Sequence, residues 1–502
     1  MNLELLAFII YFVLVLAIGL IFFLKSKGGN EKDYFLGGRG MGPFVTAMSA
    51  QASDMSGWLL MGFPGSILAF GLGQAWIGIG LALGTALNWI FVARRLRRFS
   101  KAANDSITIP QYLSNRFATK SPILQIICAL IFLVFFTVYV ASSFVAGATV
   151  FSAVVPQLAG HESIAMMIFA GILILYTFLG GFKAVCWTDF FQGLMMLIAV
   201  LALPIVVVMT KELDTSLLSK VYTETATGTE YAFGQSVFGA RWQDIVSGLT
   251  WGLGYFGMPH ILVRFMSIKK SKMIKKSATV AIIWVVLTLG AAIVIAYLGR
   301  MLVAEELLPA GLQKNVFITM VRENFHPFIA GLLLSAIIAA AMSTADSQLL
   351  VASSSFTSDI YKPIFRKKAS DKEALWVGRI VVLILAVVAY FIASSKGSGA
   401  QSIMNMVENA WGGFGASFGP VIILSVFWRR LTYSGAVAGV VCGAAVDVYW
   451  LLNLSASTGV YELLPGFAAG LVAAVLVSLI TRKPGEKVME IFDKATDPSI
   501  DD

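Results

Sequence analysis

Asp54 stands alone in the middle of an apolar, helix-length stretch between Pro43 and Pro64, within Ser53-Asp54-Met55-Ser56-Gly57. At membrane depth an acidic residue costs roughly 2.5–3.5 kcal/mol on insertion scales. The small and hydroxyl residues around it favour a break in the helix. Non-helical backbone at that depth survives only inside protein or along a cavity. A break frees backbone carbonyls, those of Ala52 and Met55 being the candidates, and hard alkali cations take such oxygens together with a carboxylate. The chemistry would be cation coordination. The plainer alternative is an aspartate paired inside the bundle for structure alone.

A second set of oxygens lies in Ala340-Ala341-Met342-Ser343-Thr344-Ala345-Asp346-Ser347. Ser343 and Thr344 offer hydroxyls to sodium, although such residues also serve as hydrogen-bonding glue between helices. Asp346 favours the cation reading, because an acid within a span is functional by default. Trp251, Tyr255 and Pro259 are four apart and so share one face of a helix. They would make an aromatic wall for an apolar ring, or else ordinary packing. Asp189, after Trp187 and Thr188, is balanced between a role in the site and a carboxylate snorkelling to the membrane surface.

Two catalytic-looking patterns carry little. Gly252-x-Gly254-x-x-Gly257 matches a dinucleotide fingerprint and Gly415-x-Ser417-x-Gly419 a nucleophile elbow. Each needs a strand–turn–helix setting, and both fall in apolar helical runs. His161, His260 and His326 lack metal-ligand spacing, and Cys128, Cys186 and Cys442 suggest no disulfide framework. Without a Walker lysine motif, primary active transport by this chain alone is disfavoured.

The elements that hold these residues follow from composition. Of 502 residues 58% are hydrophobic and 13% charged, with a mean hydropathy of +0.82. A soluble chain of this length cannot hide so much apolar surface, so the expected class is an all-α polytopic membrane protein in a lipid bilayer. The net charge of +9 sits in short loops rather than forming a nucleic-acid footprint. Spans fall at 5–24, 43–68, 72–94, 123–153, 163–180, 184–209, 244–263, 276–303, 328–352, 376–394, 403–428, 434–453 and 462–481, about 13 helices in all. The first has Glu4 before it and Lys25 and Lys27 after it, so it reads as an uncleaved span. Basic segments at 25–39, 94–120, 264–276, 362–379, 429–430 and beyond 482 alternate with neutral or mixed ones at 69–71, 154–162, 210–243, 304–327, 395–402 and 454–461. That places the N-terminus outside and the C-terminus inside. The long loops read as ordinary polar connections.

The span carrying Asp54 enters from the inside. The span carrying Trp251-Gly252-Leu253-Gly254-Tyr255-Phe256-Gly257-Met258-Pro259, five helices later, enters from the outside. Two units of opposite orientation, about 43–209 and 244–428, each opening with an interrupted helix, are what an inverted-repeat secondary transporter needs. The helices at 5–24, 434–453 and 462–481 would be additions within a transmembrane domain spanning 1–484, and 485–502 a cytoplasmic tail.

The same residues carry a resemblance. Ala52-Ser53-Asp54-Met55-Ser56-Gly57-Trp58-Leu59-Leu60-Met61-Gly62, the 251–260 segment ending in His260, and Gly180-Gly181-Phe182-x-Ala184-Val185 resemble the solute:sodium symporter family, and within it the bacterial sodium/proline symporters. The likeness runs over nearly the whole chain. It implies the leucine-transporter-like five-helix inverted repeat and symport of L-proline with Na+ across a bacterial cytoplasmic membrane. It also implies no enzyme activity, no cofactor beyond Na+ as coupling ion, and no obligate protein partner. By matching motif, the Ala52 and Met55 carbonyls with Ala340, Ser343 and Thr344 would form the sodium site. Asp54 and Ser56 would support sodium and proline binding. Trp251, Tyr255 and Pro259 would line the proline pocket with Tyr139 and Gly57 nearby, and Arg39 and Asp189 would act on the inner sodium path. Some members have a small hydroxyl residue where this chain has Asp346. An acid there, with Ser347 and Asp189, could build a second sodium site. The rival readings are a sodium- or proton-coupled carrier of another small organic solute, and a membrane sensor or channel.

Overall fold

The computed structural model describes residues 3–25, 30–396 and 400–497. Residues 26–29 of the expected basic segment 25–39, 397–399 of the segment 395–402, and 498–502 of the expected tail lie outside the described residues. The described chain is helical apart from turns and one small hairpin, Tyr222–Thr223 paired with Glu230–Tyr231. Ten of its helices are long and apolar enough to cross a membrane. Large apolar side chains on their outward faces, such as Val13, Leu14, Phe391 and Leu476, form the surface that lipid would cover.

The other three expected spans are helical but interrupted or joined. The stretch at 43–68 is the helix Pro43–Met55, a 3-10 turn at Gly57–Leu59 and the helix Gly62–Phe70. The stretch at 244–263 is Trp242–Thr250, a 3-10 segment Trp251–Phe256 and Pro259–Ser267. The stretches at 163–180 and 184–209 run together as Glu162–Thr210, with a kink instead of a loop where Gly181 takes φ 63°. Only glycine enters that conformation without a steric penalty.

The two broken helices lie antiparallel, fixed by backbone bonds at both ends. Met41, ahead of the first, donates to Ser267 O at the end of the second (3.2 Å), and Lys269 N returns a bond to Met41 O (3.0 Å). At the other end Leu72 N donates to Gly234 O (2.7 Å) and Gly234 N to Phe70 O (3.3 Å), just ahead of the second helix. Opposed sequence orientation thus becomes a physical pairing.

Glycines bring the helices close. A Cβ on Gly84 would sit 2.2 Å from Gly252 O, and one on Gly257 would sit 2.3 Å from Phe414 O and 2.9 Å from Gly419 N. The two catalytic-looking patterns are therefore one helix-packing contact, without the strand either chemistry requires. Ser417 is buried and donates to Gly413 O. The helix Pro327–Ser355 is buried along most of its length, against Leu3–Lys25, Pro43–Met55, Ile123–Val154 and Glu162–Thr210.

The loops are more built than a polar, ordinary reading allows. Segment 94–120 holds the helices Arg94–Ala102 and Ile109–Arg116. Its buried Arg97 donates to Ile268 O (2.7 Å) and its buried Arg116 to Ser425 O (3.1 Å). The tail folds back as Glu486–Thr496, with Phe492 on Phe99 (5.2 Å between rings). In segment 210–243, Arg300 holds the carbonyls of Lys220 (2.6 Å) and Tyr231 (2.9 Å). Buried carbonyls outside regular structure need donors, and an arginine fork satisfies several at once.

Candidate functional site

The helix Pro43–Met55 stops because Ser56 adopts φ 49°, a left-handed value for a non-glycine residue, and its Oγ accepts from Trp58 N (3.1 Å). Gly57 follows, and a Cβ there would sit 2.6 Å from Ala146 Cβ, so the break is wedged against Ile123–Val154. The last carbonyls of a helix lack amide partners. Here side chains from other helices reach them. Ser343 Oγ donates to Ala52 O (2.8 Å) and also lies 3.2 Å from Ala340 O, while Tyr139 Oη donates to Asp54 O (3.2 Å). The Asp54 side chain, 4% exposed, accepts a hydrogen bond from Tyr255 Oη in the second broken helix. Thr344 Oγ1 is buried beside Ser343 with no partner.

The structure therefore brings Ala52, Ala340, Ser343, Asp54, Tyr139 and Tyr255 to one junction between the two breaks. Met55 and Pro259 are buried at its edges, one ending a half-helix and the other beginning one. The wall is aromatic. Trp58 stacks between Phe63 (4.8 Å) and Trp251 (5.6 Å), and Trp251 lies on Trp411 (6.4 Å) with Tyr255 edge-on to Trp411 (5.0 Å). Trp411 Nε1 donates to Trp251 O (2.8 Å).

Trp251, Tyr255 and Pro259 do not share one helical face, contrary to the expectation from their spacing. Residues 251–256 are 3-10, where i and i+3 align rather than i and i+4, and Pro259 opens a separate helix after extended Met258. Trp251 and Tyr255 converge through Trp411. Trp411 and Trp58 were missed because lone tryptophans in apolar runs give no spacing signal.

A second cluster lies deeper in the bundle. Asp189 is 0% exposed, which removes the snorkelling alternative. Its Oδ2 accepts from Ser49 Oγ (2.6 Å) and from Arg264 Nη2 (3.0 Å). Arg264 also donates to Ser49 Oγ (3.0 Å), Ser347 Oγ (2.5 Å) and His260 O (2.6 Å). Ser347 Oγ donates to Asp346 Oδ1 (3.2 Å), while Asp189 Oδ1 and Asp346 Oδ2 have no partner. Arg264, expected to open a basic loop, is 1% exposed inside the bundle. Its signal was its apolar neighbours, Ile261-Leu262-Val263 before it and Phe265-Met266 after.

Arg39 is in neither cluster. It has φ 52° and donates to Asp105 Oδ1 (2.7 Å), Ser100 Oγ (3.1 Å), Met266 O (2.6 Å) and Ser106 O (2.8 Å). Burial works against the charge on Asp105, but Lys32 and Arg39 outweigh it and hold its carboxyl below the usual carboxylate range. These bonds close the basic face of the molecule. On the opposite face a cleft of about 350 Å³ descends past Gln74, Asp244 and Glu408 to Trp251.

A family model described as the sodium:solute symporter family matches residues 34–443. The chain is 42% identical over 476 residues to the high-affinity proline transporter PutP of Bacillus subtilis, covering 95% of this chain and 98% of that one. It is 44% identical over 496 residues to sodium/proline symporter 2 of Staphylococcus saprophyticus (97% and 94% covered) and 41% over 495 to the sodium/proline symporter of Escherichia coli (98% and 96%). Among solved structures, a substrate-bound, outward-open Na+-coupled sialic acid symporter superposes with a TM-score of 0.72 at 18% identity, over 96% of this chain and 99% of that one. Mhp1, a nucleobase-cation-symport-1 family transporter in a closed conformation, gives 0.54 at 15% identity, over 92% and 98%. Those two likenesses concern the fold: a bundle built on two opposed broken helices.

Proposed function

The chain belongs to the sodium:solute symporter family, and from that premise we propose that it is a secondary carrier taking up L-proline with Na+ across a bacterial cytoplasmic membrane. In this reading the basic face is cytoplasmic, the N-terminus outside and the C-terminus inside, and the repeats cover about 43–209 and 244–428. The names of the relatives at 41–44% identity support substrate and ion. The observation that carries the reading is the junction where Ser343 and Tyr255 reach the free end of the first broken helix.

Pro43–Met55 ends there and presents carbonyls, the partially negative end of its dipole. Sodium fits that end, between the Ala52 and Met55 carbonyls, Ala340, and the hydroxyls of Ser343 and Thr344. Asp54 supplies charge close by, and Ser56 and Gly57 hold the break open. Gly62–Phe70 and Pro259–Ser267 begin just after the two breaks and present amides, the partially positive ends. The proline carboxylate fits those ends, and its ring fits the wall of Trp251 and Tyr255, with Tyr139 opposite and Pro259 at the edge. Tyr255 binds Asp54 with its hydroxyl, so it belongs to both sites and ties proline binding to sodium binding. Two ligands that prefer one conformation favour each other's binding.

The cleft to Trp251 corresponds to access from outside. Opening inward requires release of the bonds around Arg39 and Met41 on the basic face. Each positive charge carried in gains about 2.3 kcal/mol per 100 mV of membrane potential. Asp189 lies on the inner path. With Asp346 and Ser347 it makes a second cation position, where two carboxylates facing one guanidinium leave a formal negative charge for a second sodium. One Na+ per proline in both wild type and Asp346→Ala would overturn that assignment.

The test of the whole is radiolabelled L-proline uptake into proteoliposomes under an inward sodium gradient, then with potassium in place of sodium. Sodium-dependent accumulation is expected. Accumulation driven only by a proton gradient, or of a different solute, would overturn the ion or substrate assignment and leave the fold standing.

A further inference from the structure

Three acidic residues meet where the last long helices pack, away from the junction. Asp447 lies on Tyr433–Asn453, Glu462 just ahead of Leu463–Ile480, and Glu408 on Ala400–Phe427. Asp447 is 1% exposed and Glu462 2%. Neither carboxylate oxygen of Asp447 has a partner, nor does Glu462 Oε1, and Glu462 Oε2 receives only a long bond from Ser455 Oγ (3.5 Å). Among the described residues no ion pair reaches either acid. Glu408 and Asp447 both lie within electrostatic reach of Glu462. Such carboxylates stay buried only with a proton or a counter-cation.

The surroundings supply oxygens for one. A Cβ on Gly412 would lie 3.1 Å from Asp447 Oδ1 and 3.3 Å from Tyr461 Oη, so both oxygens border the bare backbone of that glycine. A Cβ on Gly466 would lie 2.9 Å from Asp447 Cβ, and its absence lets the acid approach. Tyr461 Oη donates to Glu408 O (2.7 Å), which leaves its lone pairs available to accept. The donors are all oxygen, which suits a hard cation. Glu408, Ser455 and Tyr461 also line the cleft that reaches Trp251, giving a route from solvent. Asp244, which also lines that cleft, is engaged with Arg241 (2.9 Å).

We propose that Asp447, Glu462 and Tyr461 form a binding site for one monovalent cation, sodium or a proton, separate from the helix-break junction and filled from the cleft. Occupancy neutralises the acid pair and holds Tyr461. Its ring packs on Trp251 (5.4 Å) and its amide donates to Ser247 Oγ (3.0 Å), so the site bears on the outer half of the second broken helix.

The test compares the purified full chain with the neutral, near-isosteric double variant Asp447→Asn/Glu462→Gln. Radioactive ²²Na+ binding is counted at equilibrium, and the carboxylic-acid band is followed by infrared difference spectroscopy through a pH titration. One sodium fewer per chain in the double variant supports the site with sodium as occupant. An unchanged sodium count with loss of a carboxylic-acid band that the wild type keeps at neutral pH, where ordinary carboxyls are ionised, supports it with a proton as occupant. Equal counts and an unchanged band overturn the proposal. Gly412→Ala, which keeps both acids but places a methyl group against Asp447 Oδ1 and Tyr461 Oη, is read the same way if the double variant does not fold. Both readouts are independent of proline transport, so the site can fail while the carrier reading stands.

Discussion

Thr344→Val separates a sodium ligand from a structural hydroxyl. Thr344 Oγ1 is buried without a partner, and an unsatisfied buried polar group costs about 1–3 kcal/mol. Valine keeps the shape and removes that cost, so in sodium-free buffer the variant should melt at or above the wild-type temperature. If the hydroxyl coordinates sodium, its loss should cost about as much as a hydrogen bond to a charged group, roughly 1.5–3 kcal/mol. At about 1.4 kcal/mol per factor of ten, the sodium concentration for half-maximal proline uptake should rise about ten- to 150-fold. Stabilisation by sodium should shrink in step, because it follows the ratio of ion to dissociation constant. Ser343→Ala makes the contrast. It deletes the 2.8 Å bond to Ala52 O, so it should lose about 1 kcal/mol without sodium as well as weakening sodium dependence. The assays are sodium titrations of uptake in proteoliposomes and melting curves with and without sodium. Thr344→Val with wild-type sodium dependence and lowered sodium-free stability would refute the reasoning, since the hydroxyl would then be structural.

Asp54→Asn should abolish sodium-driven uptake and Asp54→Glu keep a trace, since the acid holds Tyr255 and the charge beside the proposed ion; wild-type-like uptake in Asp54→Asn rejects the assignment. Arg264→Met strands the buried charge of Asp189 and should cost about 3–5 kcal/mol, much of it recovered by adding Asp189→Asn; a double-mutant cycle without coupling shows that the two are not each other's counter-charge. Because Asp105 is held below the usual carboxylate range, its folded value lies under its unfolded one, so the stability it contributes is present above the unfolded value and is lost as pH falls through the folded one. The melting difference between wild type and Asp105→Asn should thus be steady at neutral pH and close below about pH 4, and a difference that persists in stronger acid would show that the stabilisation does not depend on the Asp105 charge.

Local chemistry determined a large part of this protein. Apolar content and span length required a helical bundle in lipid, and small residues around Asp54 and through 251–259 marked both breaks. The alternation of basic loops gave the two broken helices opposed directions, and the structure pairs them antiparallel. These are properties of neighbouring residues, and hydropathy and helix termination depend on little else. Partner choice does not. Whether Arg264 faces a basic loop or two buried acids depends on which helices lie beside it, and the sequence spacing is the same in both cases. Trp251 and Tyr255 converge through Trp411, some 160 residues away in the chain, because a 3-10 segment replaces the α-helix that their spacing suggested. The glycines of two enzyme-like patterns proved to be one contact between helices, where a Cβ would strike backbone. Tertiary packing decided these points, because a buried charge, ring or bare backbone is stable only against the partner that satisfies it, and that partner comes from a distant part of the chain.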